Sequence, residues 1–237
     1  ADVLVVHNID PNAVSLVRSG NDVTLSFAPS TPGGNDGGSV LLKGNLVTTS
    51  GQGVDQIVFD NGTTWTSSQV AGFKLGTTGN DTVAGTIGND TFYGSLGTDT
   101  LNGAGGVDTY KFGTSFGKTT INNLASDGIT TARGEIDFGA NINTNQLWFL
   151  QSGNDLKIDL MGTQEQITVA GWYGGNARAQ VQTIATADGS KLDSQLQQLV
   201  SAMATYSASN PGFDPTAATQ APNDPTLQAA ISAAWHH

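Results

Sequence analysis

Four aspartates recur nine residues apart: Asp81, Asp90, Asp99 and Asp108. Each has the same surroundings. One glycine lies five positions earlier (Gly76, Gly85, Gly94, Gly103) and another two positions earlier (Gly79, Gly88, Gly97, Gly106). A threonine follows (Thr82, Thr91, Thr100, Thr109), then a large apolar or aromatic residue (Val83, Phe92, Leu101, Tyr110). Residues 76–111 thus divide into four blocks of nine, GTTGNDTVA, GTIGNDTFY, GSLGTDTLN and GAGGVDTYK. Paired-carboxylate acid–base chemistry needs two carboxyls in unlike environments. Periodic, equivalent ones suit metal ligation instead. In an extended stretch neighbouring side chains face opposite ways, so the threonine points out and the next residue points in. The six residues before them form a turn given its backbone freedom by two glycines. With two blocks to one coil, alternate turns stack about one strand spacing apart, and Asp81 meets Asp99 as Asp90 meets Asp108. Two bare carboxylates ~5 Å apart repel by roughly 3 kcal/mol at an effective dielectric of 20, so a cation belongs between them. Calcium takes its oxygens from carboxylates and backbone carbonyls, the donors that such turns supply. A glycine-rich linker would need no fixed apolar position.

The rest of the chain must hold this array. Of 20 acidic residues 18 are Asp, and Gly accounts for 31 of 237 residues. Few Glu, Lys and Leu with many Gly and Asp favour short strands joined by turns over helices. A second repeat flanks the first. NIDPNAVSLVRSGNDVTLSF (8–27) and NINTNQLWFLQSGNDLKIDL (141–160) align at an offset of 133, and DQIVFDNGTTW (55–65) parallels QTIATADGSKL (182–192) at 127. The first copy therefore carries a loop six residues longer, placed around Pro32–Gly38 as an exposed excursion. Each SGND between alternating apolar stretches predicts a hairpin turn. Asp22 and Asp155 are thus turn residues first and metal ligands second. Beyond them Leu192, Leu196, Leu199, Val200 and Met203 share one helical stripe, predicting a packed helix over 192–206. Residues 207–225 read as loop, and Asp224-Pro225 as an N-cap with proline at the first helical position.

Composition narrows the function classes. The net charge is −11, which disfavours a nucleic-acid surface. Cysteine is absent, excluding disulfides and thiolate chemistry. No apolar run reaches the ~20 residues of a membrane span. The N-terminal ADVLVVHNID has no basic region ahead of its apolar run, so it is not a secretory signal, and it reads as the cut edge of a longer protein.

Residues 76–111 resemble the RTX, or haemolysin-type, calcium-binding repeat G-G-x-G-x-D-x-U-x. The family's second glycine is Thr77, Thr86, Ser95 and Ala104 here, a change that retains a carbonyl but can strain the turn. The resemblance implies a parallel β-roll with at least two calcium ions between stacked turns. It implies one site from Thr77, Gly79, Asp81, Gly94, Leu96 and Asp99, and a second from Thr86, Gly88, Asp90, Gly103, Gly105 and Asp108. The block 112–120 lacks the aspartate. The flanking units resemble the haemolysin-type calcium-binding-related domain, and the stretch from residue 196 onward resembles the C-terminal region of large RTX proteins, which a type I secretion apparatus reads. The expectation is an all-β chain: a first related β unit (1–75), a short parallel β-roll or β-solenoid (76–120), a second related β unit (121–191) and a C-terminal helical, secretion-signal segment (192–237). Its implied role is calcium-dependent folding and export at the end of a larger adhesin or toxin, secreted or displayed at the surface of a Gram-negative bacterium.

Two alternatives stand beside that role. Gly113-Thr114-Ser115-Phe116-Gly117 matches the nucleophile-elbow pattern, but its only later histidines are His236 and His237, which read as the start of a tag, and His7 precedes it. No metalloprotease, P-loop or dinucleotide motif is present, so the expectation is no enzyme, or the non-catalytic tail of a secreted hydrolase. Trp65, Trp148, Trp172 and Tyr173 together with the 33–38 loop are candidates for a carbohydrate or cell-surface adhesion site, although core packing is the commoner fate of such aromatics.

Overall fold

A computed structural model describes residues 2–27, 37–46, 53–124 and 133–237. The expected excursion around Pro32 lies mostly outside them. In chain order, the first part forms β1 (Val3–Val6), β2 (Val14–Ser19), β3 (Asp22–Phe27), β4 (Gly38–Leu42), β5 (Gln56–Phe59), β6 (Thr64–Thr66), helix α1 (Ser67–Gly72) and β7 (Lys74–Leu75). The nonapeptides form β8 (Thr82–Ala84), β9 (Thr91–Tyr93), β10 (Thr98–Asn102) and β11 (Thr109–Phe112). Then come β12 (Lys118–Asn122), β13 (Glu135–Phe138), β14 (Leu147–Ser152), β15 (Asp155–Leu160), β16 (Gln166–Val169), β17 (Thr183–Thr186), β18 (Lys191–Leu192), α2 (Leu196–Ser209) and α3 (Pro225–Ala234).

The protein is mostly β, and its central strands are parallel. Successive nonapeptide strands go to alternate sheets. One sheet runs β14-β15-β16-β12-β10-β8 and the other β18-β17-β13-β11-β9-β7. Leu101 pairs with Val83 and Tyr110 with Phe92, an offset of two blocks, as the alternation predicts. The apolar position points inward: Phe92, Leu101 and Tyr110 are fully buried, and the Phe92 and Tyr110 rings stack with centroids 5.1 Å apart. This arrangement is consistent with a β-roll. Both sheets continue past residue 120, because β12 pairs with β16 and β11 with β13, all in parallel.

The two flanking units share one pattern. Each SGND is a hairpin turn, with Ser19 opposite Asp22 and Ser152 opposite Asp155, and Gly20 and Gly153 supply the left-handed residue at φ 59° and 60°. Asn8 and Asn141 both adopt positive φ, as do Gly44 and Gly171. In both copies the aspartate after the hairpin pins a distant turn: Asp22 Oδ1 accepts from Gly44 N (2.7 Å) and Asp155 Oδ1 from Gly171 N (2.8 Å). These carboxylates have the turn-forming role expected first.

One apolar core spans the repeats, the second unit and both C-terminal helices, and another fills the first unit. Trp65 and Trp148 are buried in these cores, while Trp172 and Tyr173 pack partly buried against the larger one. Helix α2 begins at Leu196, four residues later than the stripe suggests, because Leu192 is a strand residue paired with Ile184. Its buried face is Leu196, Leu199, Val200 and Met203. The Asp224 side chain caps α3, accepting from Leu227 N at 2.9 Å. Among the described residues no helix is long and apolar enough to cross a membrane.

Candidate metal centre

The nonapeptide turns lie on one another, two blocks apart. A Cβ added to Gly97 would come within 2.3 Å of Gly79 O, and one added to Gly106 within 2.5 Å of Gly88 O. Both residues also have positive φ, 108° and 86°. Only glycine allows so close an approach of backbones in that conformation. The turns are cross-linked by Asn80 and Asn89, whose Oδ1 atoms accept from Thr98 N and Val107 N at 2.8 Å each. Composition gave no reason to single out these two residues. Their signal was the G-N-D triplet of the first two blocks.

Stacking brings the aspartates together in the expected pairs. Asp81 N donates to Asp99 Oδ1 (2.9 Å), and Asp90 N donates to Asp108 Oδ1 (3.0 Å). The outer pair, Asp81 and Asp90, is half-buried, whereas Asp99 and Asp108 are 1% and 0% exposed. Burial comes from the further strands β12 and β13 that cover the later turns.

The residues replacing the family's second glycine turn out to be functional partners of the carboxylates. Thr77 donates to Asp81 Oδ2 from its N–H and its hydroxyl, both at 2.7 Å. Thr86 does the same for Asp90 Oδ2 at 2.5 and 2.9 Å, and the Ser95 hydroxyl reaches Asp99 Oδ2 at 2.7 Å. Ala104 has no hydroxyl to give. Asp108 Oδ2 therefore lacks the hydroxyl its three counterparts receive and has only the Tyr110 hydroxyl near it. The nearby Tyr110 hydroxyl donates to Asn123 Oδ1 at 2.9 Å. Ala104 is also the one of the four that shows the anticipated strain, at φ 66°, a conformation that costs a non-glycine residue roughly 1–2 kcal/mol.

Electrostatics follow from this burial. Removal from water pushes the Asp108 carboxyl up to about 6, opposed by the Asp90 N–H and the Tyr110 hydroxyl and reinforced by the Asp90 charge. Asp99 is raised for the same first reason, with the Ser95 hydroxyl and the Asp81 N–H pulling back. Lys74, which the sequence reading passed over, places Nζ 3.3 Å from Asp90 Oδ1 and offsets part of the negative charge there.

The site's donor set is oxygen only. Among the described residues no three Asp, Glu or His side chains converge, so any ion held here draws on two carboxylates and the stacked backbone. The buried Asp108 carboxylate, charged when ionised and shielded from water, fits a hard cation. Ser115 of the Gly113–Gly117 stretch is exposed and lies between β11 and β12. That is a strand-to-strand connection, not the strand-to-helix turn a nucleophile elbow requires. His7 is exposed and Nδ1 lies 2.7 Å from Asp60 Oδ1. The backbone of His236 pairs with Lys191, extending β18.

Comparison with known families converges on the same segments. Residues 155–195 match the haemolysin-type calcium binding protein related domain, and they include the Asp155 hairpin and β18. Residues 75–110 match the RTX calcium-binding nonapeptide repeat in four copies, so the two matched segments are similar to haemolysin-type calcium-binding repeats and to a domain related to them.

Proposed function

We propose that the chain is a calcium-responsive module of a larger exported protein, folded by external Ca²⁺ and supporting type I secretion. The observation that carries this reading is the stacked aspartate pairing, in which the Asp81 and Asp90 amides donate to the buried carboxylates of Asp99 and Asp108 and Asp108 Oδ2 lies buried beside the Tyr110 hydroxyl. At least two ions are proposed. One is held by Thr77, Gly79, Asp81, Gly94, Leu96 and Asp99, the other by Thr86, Gly88, Asp90, Gly103, Gly105 and Asp108, with carbonyls from all but the aspartates. A bound ion supplies positive charge between carboxylates that otherwise repel.

The protein's own groups do the rest. Glycines let the turns approach, while Thr77, Thr86 and Ser95 orient their aspartates. Calcium sites of extracellular modules have Kd of about 10⁻⁴ to 10⁻³ M, so they are empty at cytosolic calcium and filled outside. Free ion at ten times Kd adds roughly 1.4 kcal/mol per site, or about 3 kcal/mol for two. That is a large share of a typical stability of about 5–15 kcal/mol. The module is therefore loose before export and firm after it. The secretory reading of α2 and α3 is supported by the resemblance of the stretch from residue 196 onward to the C-terminal region of large RTX proteins.

The test is circular dichroism during a calcium titration of the chelator-treated chain. Strand content and melting temperature rise together at millimolar calcium and not with magnesium. Identical spectra and melting in chelator and calcium would overturn the reading.

A further inference from the structure

The two flanking units are equivalent strand for strand, but only one of them is covered. In the second unit β13 pairs with β17 so that Ile136 faces Ile184, and in the first β1 pairs with β5 so that Leu4 faces Ile57. Likewise Val169 of β16 faces Leu156 of β15, and Leu42 of β4 faces Val23 of β3. The connecting hydrogen bonds repeat as well: Gln182 N donates to Gly134 O, and Asp55 N donates to Asp2 O. So β1 corresponds to β13 and β4 to β16.

The difference lies on the opposite edges. β13 and β16 each accept a parallel neighbour, β11 from the last nonapeptide and β12 from the segment that follows it. Glu135 N donates to Asp108 O and Gln166 N to Gly117 O. In the first unit the sheets run β1-β5-β6 and β2-β3-β4. Among the described residues the corresponding edges of β1 and β4 pair with nothing. By register, the amides of Val3, Val5, Ser39 and Leu41 point toward those edges.

Open edges are normally blunted by charge, proline or a bulge, since they template further pairing. These two carry the reverse. Where the second unit has Glu135, Asp137 and Thr168, the first has Val3, Val5 and Leu41, which are 48%, 49% and 51% exposed. We infer that the outer edges of β1 and β4 are a docking face for two parallel strands of a further block of calcium-type nonapeptide repeats, seated as β11 and β12 are seated on β13 and β16. Each flanking unit then terminates one repeat block, and the first unit joins two blocks end to end. This goes beyond calcium binding by residues 76–111 and rests on that reading only for the folding of the added block.

The test is amide hydrogen exchange in millimolar calcium on two proteins, the 237-residue chain and a fusion with a second copy of residues 76–134 placed directly ahead of Val3. This reproduces the spacing by which residue 134 precedes β13. In the chain alone, as a monomer by sedimentation, the Val3, Val5, Ser39 and Leu41 amides exchange rapidly. In the fusion they slow by about 100-fold or more, as expected for amides recruited into a cooperative sheet. Three results overturn the inference. The added block folds but leaves these amides fast, it stays labile throughout, or the amides are already protected in the chain alone, by its own residues or through a concentration-dependent dimer. The native repeats' response to calcium, read in the same samples, separates failure here from failure of the calcium reading.

Discussion

Replacing Asp108 by asparagine should stabilise the calcium-free protein and weaken the calcium-bound one. Asp108 is fully buried, and burial together with the Asp90 charge raises its carboxyl from 3.8 to about 6. A shift of that size corresponds to at most about 3 kcal/mol of penalty for holding the ionised group in the fold at neutral pH. Asp108→Asn removes the charge and keeps an oxygen to accept from Asp90 N. For a chain of this size 1 kcal/mol moves Tm by about 2–4 °C, so Tm in chelator at pH 7.5 should rise by several degrees, with about 10 °C as the ceiling. In millimolar calcium the variant should lose one site's share, roughly 1.4 kcal/mol at ten times Kd, so the spread between the chelator and calcium melting curves narrows from both sides. Asp99→Asn should gain less in chelator, because Ser95 already satisfies Asp99 Oδ2. The pH dependence has a defined sign. Without calcium, a carboxyl whose folded value is raised contributes stability below about pH 4 that is lost as pH rises through 6. With calcium, which needs the carboxylate, the ion's increment fades as pH falls below 6. Thermal melts by circular dichroism over pH 4.5–7.5, with and without chelator, measure both. A variant that melts lower in chelator by as much as it does in calcium would show that Asp108 acts only through hydrogen bonding and packing, and the reasoning would fail.

The remaining predictions are simpler. Gly97→Ala would force a side chain onto φ 108° and to within 2.3 Å of Gly79 O. It should cost about 3 kcal/mol or more and abolish the calcium-induced rise in Tm, whereas retention of that rise would mean the turns need not stack so closely. Asp22→Ala and Asp155→Ala each strip the acceptor from a half-buried turn amide, Gly44 N or Gly171 N. Each should lower stability by about 1–3 kcal/mol while leaving calcium stoichiometry by isothermal titration unchanged. Loss of a bound ion in either variant would make that carboxylate a ligand.

Much of the site was legible because its geometry is periodic. A nine-residue repeat with alternating side chains sets which residues face in, and two blocks per coil set which aspartates meet. The 18-residue offset, the buried Phe92, Leu101 and Tyr110 and the Asp81–Asp99 and Asp90–Asp108 pairings all follow from local rules. The hairpins at both SGND turns and the Asp224 cap were similarly local. The start of α2 was less so, since Leu192 fits a helical stripe and a strand equally well, and its pairing with Ile184 decides.

Sequence by itself determined the repeat, its two-block strand pairing and which aspartates come together, because these depend on the period of the chain. The tertiary structure alone decided how unequal the four aspartates are. Burial accumulates where β12 and β13 cover the later turns, and the missing hydroxyl at Ala104 matters because Asp108 lies fully buried beneath that cover. It also decided that two equivalent units differ in their edges. Which strand lies beside β1 or β13 is a contact between distant parts of the chain, and no local pattern encodes it.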